Sequence, residues 1–292
     1  MIEGTTVAAI CEDGVELRLR RAEPVVTQRR CPPVLMVHGT FSNASFFLGG
    51  GNRGMARFLA ARGIDAWVAE LRGHSRSGDA AHGQSWDFEH WIRHDAPTLI
   101  RSVLEATGSR SLIWLGHSAG GAIGVAYAGL GAALSDAIAG LIMIATPAPG
   151  RPGAWHVPLA AIGYGITRVV GHFPARALRI GPADEHGAIL QQWMGWNLSR
   201  RWSGTNETDF MANAGRIHAP ALALAGSGDI VAPPAACRRL LDALGSADRT
   251  MVVCGRRAGF SRRYTHNRLV VSNDARQEVW PVITDWLEQR FP

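Results

Sequence analysis

The chain has 292 residues, 47% of them hydrophobic and 18% charged, a globular composition with enough apolar material for one large α/β domain. The net charge is +6, yet lysine is absent and all 30 basic residues are arginine, which excludes a Walker A loop, a lysine Schiff base and a Ser-Lys dyad. The arginines are scattered along most of the chain with no aromatic-interleaved basic stripe, so nucleic acid is not an expected partner.

Residues 5–21 alternate loosely and break at Glu12-Asp13-Gly14, which predicts a hairpin. "PVLMVHG" (33–39) is a short apolar run ending in glycine and predicts a buried strand. Helical spacing over 53–63 stops at Gly63, and "DAWVAEL" (65–71) predicts the next strand. Residues 88–108 read as helix, interrupted at Pro97. "SLIWLG" (111–116) predicts a strand, 119–134 a helix of small residues, and "GLIMIATP" (140–147) another strand. The alternation then stops. Residues 148 to about 215 are rich in Gly, Pro, Trp and Arg, with short helical pieces. It resumes with "ALALAGSGD" (221–229), a helix at 234–245, a strand at 249–255 and a closing helix at 275–290. Alternating strands and helices predict an α/β fold, a mostly parallel central sheet flanked by helices, with 148–215 inserted between two strands.

Four cysteines, Cys11, Cys31, Cys237 and Cys254, form no C-x-x-C pair, so zinc or dithiol chemistry has no support. Residues 1–14 carry neither a basic nor a long apolar segment, and no apolar run is long enough to span a membrane. A cytoplasmic protein with free thiols and no stable membrane insertion is expected.

"LGHSAGG" (115–121) places Ser118 between Gly116 and Gly120, after a predicted strand and before a predicted helix. A bare G-x-S-x-G is weak evidence, but this context is what a nucleophile elbow requires. Ser75, in "RGHSRSG", lacks the second glycine at that offset and reads as a loop residue. A serine hydroxyl needs a base to take its proton, and a histidine base needs a carboxylate to orient it. The strand ending near Ala145 offers no carboxylate; the next ends at Asp229. In the chain order Ser–acid–His, the single histidine after Asp229, His266, forces the catalytic assignment Ser118, Asp229, His266 if the arrangement is present. Backbone N–H groups of Ala119, behind the serine, and Thr40, in "HGTFSNASFF", are the expected oxyanion donors. His38 and His117 read as structural, hydrogen-bonding neighbouring loops.

These features resemble the α/β-hydrolase superfamily over nearly the whole chain. "VLMVHGTF" resembles its oxyanion strand and loop, "AWVAELRGHSRSG" the D-x-R-G-x-G-x-S segment, "GHSAGG" the elbow, "LALAGSGDIVAPP" the acid strand and "THNRLVV" the histidine loop. Within it, "RFLAARGIDAWVAELRGHSRSG" and "DFEHWIRHDAPTLIRSVLEATG" are similar to the acid-lipase-like and small bacterial esterase branch. Departures are Ser75 where glycine is usual, Thr265 where Gly precedes the histidine, and the run Arg256, Arg257, Arg262, Arg263 before it. The resemblance implies a hydrolase core over 1–147 and 216–292 and a cap over 148–215. It implies a serine esterase acting on a hydrophobic or lipid-like small-molecule ester, without metal or organic cofactor. Acyl transfer, thioester hydrolysis, C–C hydrolysis and perhydrolysis share the triad, and a ligand-binding protein on a hydrolase scaffold is the non-enzyme alternative. Phe41, Trp193 and Trp196 are expected in the substrate pocket, with Trp155 and Trp202 as further cap aromatics that could equally form the cap's own core. A monomer or homodimer is expected.

Overall fold

The computed structural model describes residues 5–25, 31–50, 53–74, 86–149, 161–162, 164–165, 167–169 and 171–292. Its strands are β1 (Thr6–Ile10), β2 (Glu16–Ala22), β3 (Val34–Val37), β4 (Ala66–Glu70), β5 (Leu112–His117), β6 (Ile138–Ile144), β7 (His172–Phe173), β8 (Glu185–His186), β9 (Ala221–Gly226) and β10 (Arg249–Cys254). Eight of them form the main sheet in the order β1-β2-β4-β3-β5-β6-β9-β10. β2 runs antiparallel to both β1 and β4. The remaining pairs are parallel. The predicted hairpin at 5–21 is thus β1–β2, and the predicted α/β architecture is the observed one.

From β3 the chain first goes to one side, to β4, then crosses back to lay β5, β6, β9 and β10 on the other. That reversal creates a switch point between β3 and β5, where parallel α/β sheets open a crevice at the strands' carboxyl ends. Thr40 and Ser118 follow these two strands.

The sheet is buried on both faces, as a parallel sheet must be when helices cover each side. Leu35, Val37, Leu112, Trp114 and Leu141 enter one apolar cluster with Leu99 and Ile123 from helices Ala96–Thr107 and Ala119–Gly129. Val34, Met36, Ile113, Leu115 and Ile142 enter the other with Leu59 and Trp286 from helices Met55–Ala60 and Trp280–Arg290. This period-two alternation follows from the pleat.

Two elements differ from expectation. Pro97 does not interrupt its helix: a π-helical turn, Trp91–Asp95, precedes it, and the ring falls in the first turn of Ala96–Thr107, where no intrahelical donor is needed. The closing helix instead breaks in two, Asn273–Glu278 and Trp280–Arg290, because Pro281 cannot supply a mid-helix N–H and takes a first-turn position.

Between β6 and β9 the chain leaves the sheet. The described part of this insertion holds the β7–β8 pair and helices Gly187–Ser199 and Phe210–Asn213. It is fastened to the short helix Phe88–His90. Phe88 packs on Trp193 and Trp196 at ring distances of 5.8 and 5.1 Å, and Trp202 packs on Phe210 at 5.5 Å. Buried Glu89 accepts from the Thr205 N–H (2.7 Å), the Thr205 hydroxyl (2.9 Å) and Arg93 Nε (2.9 Å). Trp196, expected at the substrate pocket, is 4% exposed within this cluster, and its indole N–H donates to the Ser203 carbonyl. Trp193 is half-buried beside it. Ser75 and Trp155 lie outside the described residues. Among the described residues no helix is long and apolar enough to cross a membrane.

Candidate active site

Ser118 stands where β5 turns into helix Ala119–Gly129, with φ 52° and ψ −119°. That is left-handed backbone, costing about 1–3 kcal/mol for a residue with a Cβ. The turn is held by the Ser118 N–H donating to the Ile144 carbonyl at 2.9 Å. Its sharpness explains the flanking glycines. A Cβ on Gly116 would run into the backbone of Gly120 and Gly121, and one on Gly120 into the carbonyls of Val37 and His38. The helix therefore seats directly on the end of β3. Ala119 opens it, so its N–H has no acceptor one turn back. On the facing loop, a Cβ on Gly39 would sit 2.9 Å from the Ser118 Cβ. Thr40, the next residue, thus lies on the loop that meets the serine.

Asp229 follows the end of β9 and is buried. Its Oδ1 accepts from the N–H groups of Val231 (2.8 Å) and Ala232 (2.9 Å), and its Oδ2 from His266 Nδ1 at 2.8 Å. The carboxylate so oriented requires the proton on Nδ1, leaving Nε2 of His266 as the acceptor. The His266 side chain is 18% exposed. It lies against His117, the neighbour of Ser118: the rings are 4.7 Å apart, and His117 Nε2 donates to the His266 carbonyl at 3.3 Å. Burial, reinforced by the nearby His266, holds the His117 pKa well below its usual value, so the ring is neutral. The structure thus brings His266 and Asp229 together and sets them beside the elbow.

Two further imidazoles lie under the Thr40 loop. His38 is fully buried; the Leu71 N–H donates to its Nε2 (3.3 Å), so the proton sits on Nδ1 and is donated to the Gly39 carbonyl (2.8 Å). Burial, with the neighbouring His74, pushes its pKa down to about 3. His74 lies 4.8 Å away, ring to ring, in an edge contact. Its Nδ1 faces the Arg72 carbonyl (3.1 Å) and its Nε2 faces Glu185 Oε2 (3.3 Å). A ring protonated on both nitrogens can donate to both partners. Burial works against that charge, but the charge and hydrogen bond of Glu185 outweigh it and raise the His74 pKa.

Glu185 and His74 were not singled out in the sequence. They are separated by 111 positions, and neither belongs to a spacing that signals chemistry. Phe41, expected in the pocket, is half-buried with φ 60° and packs against Phe173 with the rings tilted, 5.3 Å apart. It faces the insertion; Trp193 and Trp196 belong to the Phe88 cluster, and no contact among the described residues brings them to the serine.

Residues 32–199 match the family described as the alpha/beta hydrolase fold. Lipase 1 of Drosophila melanogaster is 29% identical over 168 residues, covering 55% of this chain and 37% of that protein. Lipase lipl-1 of Caenorhabditis elegans is 32% identical over 122 residues, covering 37% of this chain and 30% of that protein. The chain therefore spans well under half the length of these relatives. Among solved structures, a soluble variant of monoglyceride lipase from Saccharomyces cerevisiae matches with a TM-score of 0.72 at 16% identity, covering 100% of this chain and 98% of that one. A thermophilic esterase from Thermogutta terrifontis matches with a TM-score of 0.64 at 17% identity, covering 99% and 100%. At these identities the likeness is one of fold.

Proposed function

The chain belongs to the α/β-hydrolase fold family, and on that premise we propose that it is a serine carboxylic-ester hydrolase acting through an acyl-enzyme. The observation that carries the reading is the 2.8 Å Asp229–His266 hydrogen bond beside a serine at a strained strand-to-helix turn. In this mechanism Ser118 Oγ attacks the ester carbonyl carbon while His266 Nε2 takes its proton. The carbonyl oxygen becomes an oxyanion, stabilised by the N–H groups of Thr40 and Ala119. The tetrahedral intermediate collapses, the C–O bond breaks, and the imidazolium returns its proton to the leaving alcohol. Water, deprotonated by His266, then attacks the acyl-enzyme and releases the acid. Asp229 orients the ring and stabilises its charged form.

Residues 148–215 act as the cap over a core formed by 1–147 and 216–292. Phe41 lines the insertion side of the site, and Trp193 and Trp196, packed on Phe88, fasten the cap to the core. The substrate class is a hydrophobic or lipid-like small-molecule ester. Support comes from the aromatic character of the cap and from relatives named as lipases. A fluorophosphonate should label wild type stoichiometrically and leave Ser118→Ala untouched. A panel of p-nitrophenyl esters of rising chain length should then define the acyl preference. A folded wild-type chain that neither labels nor turns over any ester would instead mark a binding protein.

A further inference from the structure

Thr40, whose N–H is the proposed oxyanion donor, joins two peptide planes that are each held from outside. The N–H and C=O of one peptide unit point in opposite directions. The Gly39 carbonyl belongs to the same unit as the Thr40 N–H, and His38 Nδ1–H holds it at 2.8 Å. The following unit ends in the Phe41 N–H, which donates to Glu185 Oε2 at 3.2 Å. The same carboxylate oxygen receives His74 Nε2 at 3.3 Å, and the Glu185 side chain is only 1% exposed. The insertion grips this residue from its other end as well. The Ala183 N–H donates to the Phe41 carbonyl at 3.3 Å, and a Cβ on Gly181 would collide with that oxygen. Phe41 is a non-glycine residue at φ 60°, a conformation that persists only where its surroundings impose it.

We propose that Glu185, a carboxylate borne by the insertion, is a positioning residue that fixes the Phe41 turn and thereby aims the Thr40 N–H at the oxyanion. His74 holds Glu185 from the core side, so the pair locks the oxyanion loop, the Arg72–His74 turn and strand β8 into one arrangement. The oxyanion site is then complete only when the insertion is docked. The inference rests on the hydrolase reading above. It predicts a specific kinetic pattern, because an oxyanion contact forms only in the transition state: kcat and kcat/KM fall together while KM holds.

The test compares wild type with Glu185→Ala, Glu185→Gln and the double variant His74→Leu/Glu185→Leu. The double variant replaces the buried pair with apolar side chains of similar bulk and so guards against a chain that fails to fold around an unpaired imidazolium. Esterase kinetics are measured beside the inhibition constant of a trifluoromethyl ketone, which forms an oxyanion-bearing adduct with an active serine. Glu185→Ala and the double variant should lose roughly 10–100-fold in kcat, as misplacing one donor does. The inhibitor should weaken by the same factor, and Glu185→Gln, which keeps a carbonyl acceptor, should recover most of the rate. A folded double variant with wild-type kcat and wild-type inhibition overturns the proposal while leaving the hydrolase reading intact. A loss of thermal stability with unchanged kcat also overturns it, since that is a structural role alone. A wild-type chain inert to esters and to fluorophosphonate overturns both readings together.

Discussion

At the scale of single residues, Asp229 divides its two oxygens: Oδ1 accepts the N–H groups of Val231 and Ala232, and Oδ2 accepts His266 Nδ1. Ser118 announces itself by the two glycines it needs, and Asp229 by the strand end that precedes it. His266 is the only histidine after Asp229. Two outcomes test the roles. Ser118→Ala should lower kcat at least about 10⁴-fold without affecting the fold, checked by ester turnover and circular dichroism. Asp229→Asn should cost roughly 10⁴-fold, because an amide facing His266 Nδ1 no longer selects the tautomer with a free Nε2. His74 makes a prediction of a different kind. Its folded pKa lies above its unfolded value, so the stability it contributes is fully present below about pH 6.5 and is lost as pH rises through the folded pKa. The groups facing it are Glu185, Glu70, neutral His38 and the Arg72 carbonyl. Denaturant unfolding of wild type should therefore lose stability above neutral pH, by at most about 1.4 kcal/mol per pH unit relative to His74→Gln. A flat difference between the two proteins across pH 6–9 would remove the charge assigned to His74.

At the scale of elements, seven described non-glycine residues have positive φ: Arg179, Arg200, Asn206 and Glu207 lie in the insertion, while Phe41, Ser118 and Ala145 lie past the carboxyl ends of β3, β5 and β6. Non-glycine residues held this way cluster where a fold positions groups rather than where it merely connects them. The glycines beside them are there for space. Gly120 brings the elbow helix onto the backbone of Val37 and His38, and a backbone carbonyl cannot swing aside as a flexible side chain would. Gly120→Ala should accordingly destabilise the protein by about 1–3 kcal/mol or more through overpacking, read as a lower urea midpoint, and should lower activity by displacing Ser118. The helix around Pro97 shows the limit of local reading. A proline forbids an ordinary helix interior, but a π-helical turn ahead of it was available, and only packing of Trp91 and Ile92 into the core selects that solution.

At the scale of the whole molecule, two of the contacts that join the insertion to the core are of opposite character. One is apolar, the cluster of Phe88, Trp193, Trp196, Trp202 and Phe210. The other is ionic, the His74–Glu185 pair. Trp196→Ala should cost about 3–5 kcal/mol by opening a cavity at the root of the insertion, and limited proteolysis should then cut within 148–215 faster than in wild type. Resistance equal to wild type would mean that the aromatic cluster does not fasten the insertion.

The sequence by itself determined the α/β class, the order of strands and helices, the extra segment between β6 and β9, and which serine sits at the turn. These depend on signals that act over a few residues: apolar periodicity, glycine where the backbone must turn or approach closely, and small side chains where a helix must come near a sheet. Tertiary structure alone decided which imidazole is charged and which neutral, which tryptophans are packed against one another, and that a carboxylate from the insertion reaches the Phe41 N–H. Those outcomes follow from which donors face which acceptors once water is excluded. For Glu185 the fold brings together positions 111 and 144 residues apart, a relation no local pattern in the chain encodes.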